Sequence, residues 1–226
     1  MKVLLFDIDG TLMLSGGAGL RAMNEAFYRV FGVRDALLHI NLAGRTDTSI
    51  LLDALNETGV AWDQQQFDYY KTVYYDLLIK EIETPGNGKA LMPGVGDLLP
   101  LLAKRNDVYL GLLTGNWETS GRIKISHFKL NDYFRFGAFA DDSGVREELL
   151  PFAVRRFSTL YNLQPKPEQV YVIGDTPSDI KCAKPHGAIA VAVAASSYSL
   201  EQLQQHEPDY LFADLSDTER ILQVLG

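Results

Sequence analysis

The sequence predicts a doubly wound, Rossmann-like α/β fold: a parallel sheet core carrying an inserted α-helical cap. Three observations predict it. Four short apolar runs have none of the alternation of a half-exposed sheet. Amphipathic stretches of helical length separate the later runs, and strand alternating with helix is the signature of a sheet covered on both faces. One long segment after the first run shows helical periodicity and no convincing strand.

Taken in order, the first run is KVLLF at 2–6, continuous and apolar as a buried parallel strand requires. Helical patterns follow at 18–31, 47–57 and 63–82. In the last of these Phe67, Tyr70, Tyr74 and Leu77 recur on one face, which reads as a small helical core. TPGNGKALMPG at 84–94 supplies the Pro and Gly breakers suited to a hinge. The expected division is therefore a core of 1–14 and 92–226 with a helical module at 15–91. Beyond it, strands are expected at 108–114 (VYLGLLT), 169–174 (QVYVIG) and 188–194 (AIAVAVA). Helices are expected near 95–105, 117–129, 147–161 and 177–184. DYLFA and a last helix at 216–225 close the sheet edge.

Composition narrows the function. The 226 residues are 46% hydrophobic and 22% charged, ordinary for a globular chain. The formal net charge of -8 disfavours nonspecific nucleic-acid binding and adhesion to anionic membranes, while leaving room for a local basic site for a small anion. Cys182 is the only cysteine, so no intrachain disulfide forms. The apolar stretch before Asp7 is too short for a signal-peptide core, and AIAVAVAA at 188–195 is too short for a membrane span, which sets a cytoplasmic expectation. His39, His127, His186 and His206 are scattered and lack metal-ligand spacing.

In open α/β sheets ligands bind beyond the carboxyl ends of the strands. Asp7 and Asp9 follow the first strand, Thr114, Gly115 and Asn116 end the second, and GDTPSDI at 174–180 puts Asp175 and Asp179 after the third. Asn116 and Thr176 each also read as a helix N-cap. Acids gathered out of water repel unless a cation joins them, and these match the all-oxygen shell of Mg²⁺. Thr114 and backbone N–H groups near Asn116 suit the remaining oxygens of a phosphate at a helix N-terminus. A carboxylate beside a metal can attack phosphorus, and a second, two residues on, can move protons.

With DIDGTL (7–12), LLTGN (112–116) and GDTPSDI (174–180) in this order, the chain resembles the haloacid dehalogenase-like superfamily, specifically its phosphatases with a C1-type helical cap. The five fixed residues of the first motif alone would arise by chance in about one such chain in several thousand. The resemblance implies Asp7 as nucleophile, Asp9 as general acid/base and Thr114 as a phosphoryl ligand. It also implies Mg²⁺ held by Asp7, the Asp9 carbonyl and Asp175, with Asp179 in or next to that shell. The superfamily's basic residue usually stands as a Lys before a Pro, yet DDSGVREELLPFAVRRF at 141–157 has no Lys. Arg146, near the expected position, and Lys124, on the helix after the Thr114 loop, are the two candidates. The pattern from LLTGN to Arg146 is similar to a phosphoglycolate-phosphatase-like branch.

In the cap, SGGAGLRAM at 15–23 reads either as a hinge or as a phosphate-cradling turn. AGRTDTS at 43–49 offers Arg45 to a substrate carboxylate or second phosphate, unless Thr46 or Asp47 merely caps the next helix. The expected partner is a small phosphorylated metabolite, with the chain a monomer or homodimer. A phosphomutase of the same superfamily and a catalytically impaired binding protein are the alternatives.

Overall fold

The computed structural model describes residues 1–86 and 88–226, so Asn87 in the expected hinge lies outside the described residues. β1 (Lys2–Phe6) leads into a tight loop and β2 (Met13–Ser15). Three helices follow: α1 (Ala18–Phe31), α2 (Asp47–Thr58) and α3 (Gln64–Glu83). β3 (Lys89–Leu91) then pairs antiparallel with β2, from Met13 opposite Leu91 to Ser15 opposite Lys89. This ribbon was not anticipated, because three-residue strands carry too little alternation to register as a pattern. The stretch expected to be only a hinge thus contains one of its strands.

The chain continues through α4 (Val95–Ala103), β4 (Val108–Leu113), α5 (Glu118–His127), β5 (Gly137–Ala138), α6 (Leu150–Tyr161), β6 (Val170–Gly174) and α7 (Pro177–Ala183). It closes with β7 (Ile189–Val193), α8 (Leu200–Gln204), β8 (Tyr210–Phe212) and α9 (Thr218–Leu225). Six strands form one sheet in the order β5-β4-β1-β6-β7-β8, every neighbouring pair parallel. This is the doubly wound α/β core. The short β5, absent from the sequence reading, adds an edge beside β4.

β1 sits where the winding reverses: the chain passes to β4 and β5 on one side, then returns to β6 on the other. A crevice opens at such a switch point, at the carboxyl ends of the strands. Alternate residues of β1 serve two cores, as the pleat requires: Leu4 and Phe6 on one face, Val3 and Leu5 on the other.

The first of these cores runs on into α1 and α3. Trp117, wholly buried at the start of α5, is met edge-on by Phe67, Tyr70 and Tyr74 at ring separations of 5.7, 6.2 and 5.9 Å. The aromatic stripe of α3 is therefore a packing surface, and it packs on the sheet-bearing half of the molecule. Polar ties follow the same boundary. Thr46 Oγ1 donates to the Gly144 carbonyl (2.7 Å), Thr48 Oγ1 to that of Ala140 (3.0 Å), and Trp117 Nε1 to Thr48 Oγ1 (2.9 Å). Among the described residues no helix is long and apolar enough to cross a membrane.

Candidate active site

The loop after β1 is built to present carboxylates. Asp7 N–H still donates to the Ile173 carbonyl (2.9 Å), extending the β1–β6 ladder by one residue and fixing Asp7 at the sheet edge. The chain then turns back on itself, with Leu12 N–H donating to the Ile8 carbonyl (2.9 Å) and Gly10 N–H to that of Met13 (2.9 Å). Gly10 has φ +84°, a left-handed conformation that disfavours a side chain, and a Cβ there would overlap the Asp175 carboxylate. Thr11 closes the loop by donating its hydroxyl to Asp175 Oδ1 (3.0 Å).

Asp7, Asp175 and Asp179 are all buried and can each offer an oxygen within 4.8 Å of the others. Burial pushes the Asp7 carboxyl up to about 6 against the pull of Arg146, and pushes Asp175 up to about 7 with Asp7 and Asp179 adding to it. Three hard oxygen donors gathered this closely, with the charge of Asp7 and Asp175 so unwelcome, fit a divalent cation such as Mg²⁺. Asp179 is already engaged on both sides: Oδ2 accepts from the Thr176 N–H (3.0 Å) and hydroxyl (2.8 Å), and Oδ1 from Arg146. Thr176 thus stands at the N-terminus of α7, as expected of a cap.

Both basic candidates reach the site, at different acids. Arg146, only 4% exposed, places Nη2 3.2 Å from Asp7 Oδ1 and hydrogen bonds Asp179. Burial opposes its charge, but Asp179 and Asp7 outweigh that and hold the guanidinium above its ordinary value. Lys124 Nζ donates to Asp9 Oδ2 (2.6 Å) and to Asn116 Oδ1 (2.6 Å). There too burial is overcome, by Asp9 and Asp47, and the ammonium sits above the usual lysine range.

At the end of β4, Thr114 is fully buried, and its Oγ1 accepts from the Asn116 side-chain amide (2.9 Å), which also donates to Asp9 Oδ2 (2.9 Å). The N-cap position of α5 belongs to Trp117, so Asn116 ties the site together and does not cap. Gly115 is small because a Cβ would overlap the Arg45 carbonyl oxygen; its own carbonyl accepts from Asp47 N–H (2.6 Å). Thr46 caps α2 by accepting from Ser49 N–H (3.0 Å). Arg45 lines the cavity, but its guanidinium is held by Asp53 (2.6 Å) and the Ser49 carbonyl (3.1 Å).

Three further residues were not singled out as site residues from sequence. Asp47 is buried, and its Oδ2 accepts from Trp117 N–H (2.9 Å) and Ser120 Oγ (2.9 Å). Burial raises its carboxyl to about 6, with Lys124 opposing. No local pattern marks this role, since its partners are about 70 residues away. Ser196 donates to Asp175 Oδ2. It follows the end of β7, so the strand-end rule that selects Asp175 would have selected it. Tyr74 belongs to the aromatic cluster and also lines the cavity. That cavity, about 440 Å³, lies between the carboxyl ends of the strands and α1–α3, with Asp7, Asp9, Thr114, Lys124, Arg146 and Asp175 in its wall.

Comparison with known proteins gives the family. Residues 4–193 match the family model described as haloacid dehalogenase-like hydrolase. The chain is 26% identical over 230 residues to the pyrophosphatase PpaX of Anoxybacillus flavithermus, the match covering 100% of this chain and 97% of that protein. Among solved structures it is similar to a predicted phosphoglycolate phosphatase from Haemophilus somnus (TM-score 0.72, 21% identity, 99% of this chain and 98% of that one). It is also similar to a hydrolase from Pseudomonas syringae (TM-score 0.71, 20% identity, all of both chains). The chain belongs to the haloacid dehalogenase-like hydrolase family.

Proposed function

We propose that the protein is a Mg²⁺-dependent phosphatase that hydrolyses a small organic phosphate through an aspartyl-phosphate on Asp7. The observation that carries the reading is the division of labour between the two loop acids. Asp7 is buried, faces Arg146 and belongs to the acid cluster, whereas Asp9, with a side chain 40% exposed, is turned toward Lys124 and Asn116. An oxygen of Asp7 attacks phosphorus and the bond to the leaving oxygen breaks. Asp9 gives that oxygen a proton, then takes one from the water that hydrolyses the intermediate. Its Oδ2 is fixed by Lys124 and Asn116, and Oδ1 has no hydrogen-bond partner among the described residues, leaving it to carry the proton.

Thr114 and the backbone at Gly115 hold the transferring phosphoryl oxygens, and Arg146 balances the charge that builds between them and Asp7. Asp7, the Asp9 carbonyl and Asp175, with Asp179 beside them, would hold Mg²⁺, and the ion would supply positive charge to neutralise the phosphoryl oxygens. Residues 15–91 act as the cap, with Arg45 in its wall; Arg45 would have to release Asp53 to reach a substrate. A phosphoglycolate-like monoester is the substrate class favoured by the motifs. The similarity to PpaX along the whole chain supports a phosphoanhydride as a second reading. A phosphomutase would return the phosphoryl group to a sugar, and product analysis separates that outcome.

The test is hydrolysis of p-nitrophenyl phosphate with and without Mg²⁺ by wild type and Asp7→Asn. Turnover that requires Mg²⁺ and vanishes in the variant is expected. Metal-independent turnover, or turnover retained in the variant, would refute the mechanism.

A further inference from the structure

The cavity extends to the first turn of α1, where three donors with protons still to give lie close together. Tyr74 is wholly buried and its hydroxyl has no hydrogen-bond partner among the described residues. An ammonium has three protons to give, and Lys124 uses two, on Asp9 and Asn116. α1 starts after Gly17 with no side chain capping it and no acid in its first turn. Its leading N–H groups therefore lack intrahelical acceptors and carry the positive end of the helix dipole.

These three features converge on Gly19. A Cβ there would lie 3.3 Å from Lys124 Nζ and 3.9 Å from Tyr74 Oη. The backbone of Gly19 is not left-handed, and a helix favours Ala over Gly by up to about 1 kcal/mol, so local conformation gives no reason for a glycine. A Cβ here would instead crowd the Lys124 ammonium and enter the space between the two donors. The two acids in that part of the wall already have an oxygen engaged, Asp9 Oδ2 by Lys124 and Asn116 and Asp47 Oδ2 by Trp117 and Ser120.

We propose that this is a subsite for a second acidic group of the substrate, a carboxylate or a second phosphate on the leaving group, and that the Tyr74 hydroxyl is the specificity-determining donor that reads it. The subsite rests on the phosphatase reading and narrows it to small phosphates with an anionic leaving group. It also gives the glycine-rich turn after β2 a binding role at the helix it starts.

The test is calorimetric binding of three probes in Mg²⁺ buffer: methylenediphosphonate, phosphonoacetate and ethylphosphonate, whose tail is neutral. At least one acid-tailed probe should bind wild type about tenfold tighter than ethylphosphonate, the scale of one hydrogen bond to a charged group. Whichever is preferred identifies the acid as phosphate or carboxylate. Tyr74→Phe, which keeps the ring in its aromatic cluster, should remove most of that preference. Gly19→Ala, which fills the space while favouring the helix, should do the same and decides the matter if Tyr74→Phe does not fold. Equal affinity of wild type for all three probes, or a preference that survives in the folded variants, would overturn the proposal. Failure of the phosphatase reading shows separately, as absent hydrolysis of p-nitrophenyl phosphate by wild type.

Discussion

Replacing Arg146 with Met keeps most of the side chain's bulk and removes its charge, so it isolates what that charge does. The guanidinium is 4% exposed, 3.2 Å from Asp7 Oδ1, and hydrogen bonded to Asp179. At an effective dielectric of about 20, a pair at that distance is worth roughly 5 kcal/mol before desolvation is counted. Desolvation of all partners cancels much of this, yet breaking a buried pair from one side typically costs about 3–5 kcal/mol because the other charge stays buried. Here Asp7, Asp175 and Asp179 would be left facing one another. Urea unfolding of Arg146→Met in EDTA should therefore show a loss of about 3–5 kcal/mol, a large part of the usual 5–15 kcal/mol. Saturating Mg²⁺, which binds only the folded cluster, should recover much of it. Catalysis should not recover: kcat on p-nitrophenyl phosphate should stay about 10²–10³-fold down, the usual cost of removing one preorganised charge-stabilising group. A loss under about 1 kcal/mol in EDTA would refute the view that Arg146 holds the acid cluster together.

Two predictions concern the remaining acids. Wild type should melt at a higher temperature in Mg²⁺ than in EDTA, and an equal Tm in differential scanning calorimetry would count against the acid cluster as a cation site. Burial near Tyr70 and Tyr74 raises the Asp47 carboxyl to about 6 from its ordinary 3.8, against the pull of Lys124. A raised acid adds stability that is fully present below its unfolded value and lost as pH rises through 6, here on the order of 3 kcal/mol. Asp47→Asn keeps an acceptor for Trp117 and Ser120, so its stability relative to wild type should climb between about pH 4 and 6.5 in urea titrations and level off above that. Asp47→Ala leaves the Trp117 N–H unpaired and should cost about 1–3 kcal/mol. Parallel pH profiles for wild type and Asp47→Asn would show that the acid does not titrate there.

Much of the framework was legible because long, continuous patterns report directly on burial. The runs that became β1, β4, β6 and β7 are five or six residues each and buried almost throughout. β2, β3 and β5, at two or three residues, were missed; segments that short have no period, and only pairing with a distant strand makes them strands. Asp7, Asp9, Thr114, Asp175 and Asp179 were picked out because a polar residue at the end of a buried run is anomalous by itself. Ser196, just after β7, satisfies the same rule. Asn116 stood equally for a cap or a ligand, and local sequence could not separate the two, since its amide is spoken for by Asp9, 107 residues earlier in the chain.

What the sequence determined by itself is the alternation of strand and helix, and with it the sheet edge at which the acids gather. Hydrophobic periodicity and backbone sterics act locally and are written in neighbouring residues. The partnerships were decided only by the tertiary structure. Arg146 and Lys124, which read as alternatives for one role, stand on different acids. Arg45 turns to Asp53, Asp47 crosses to the start of α5, and the hydroxyl of Tyr74 ends beside Gly19 and Lys124. Such contacts depend on how α1–α3 settle on the sheet around Trp117. That is a balance of burial against desolvation among residues far apart in the chain, which no local pattern encodes.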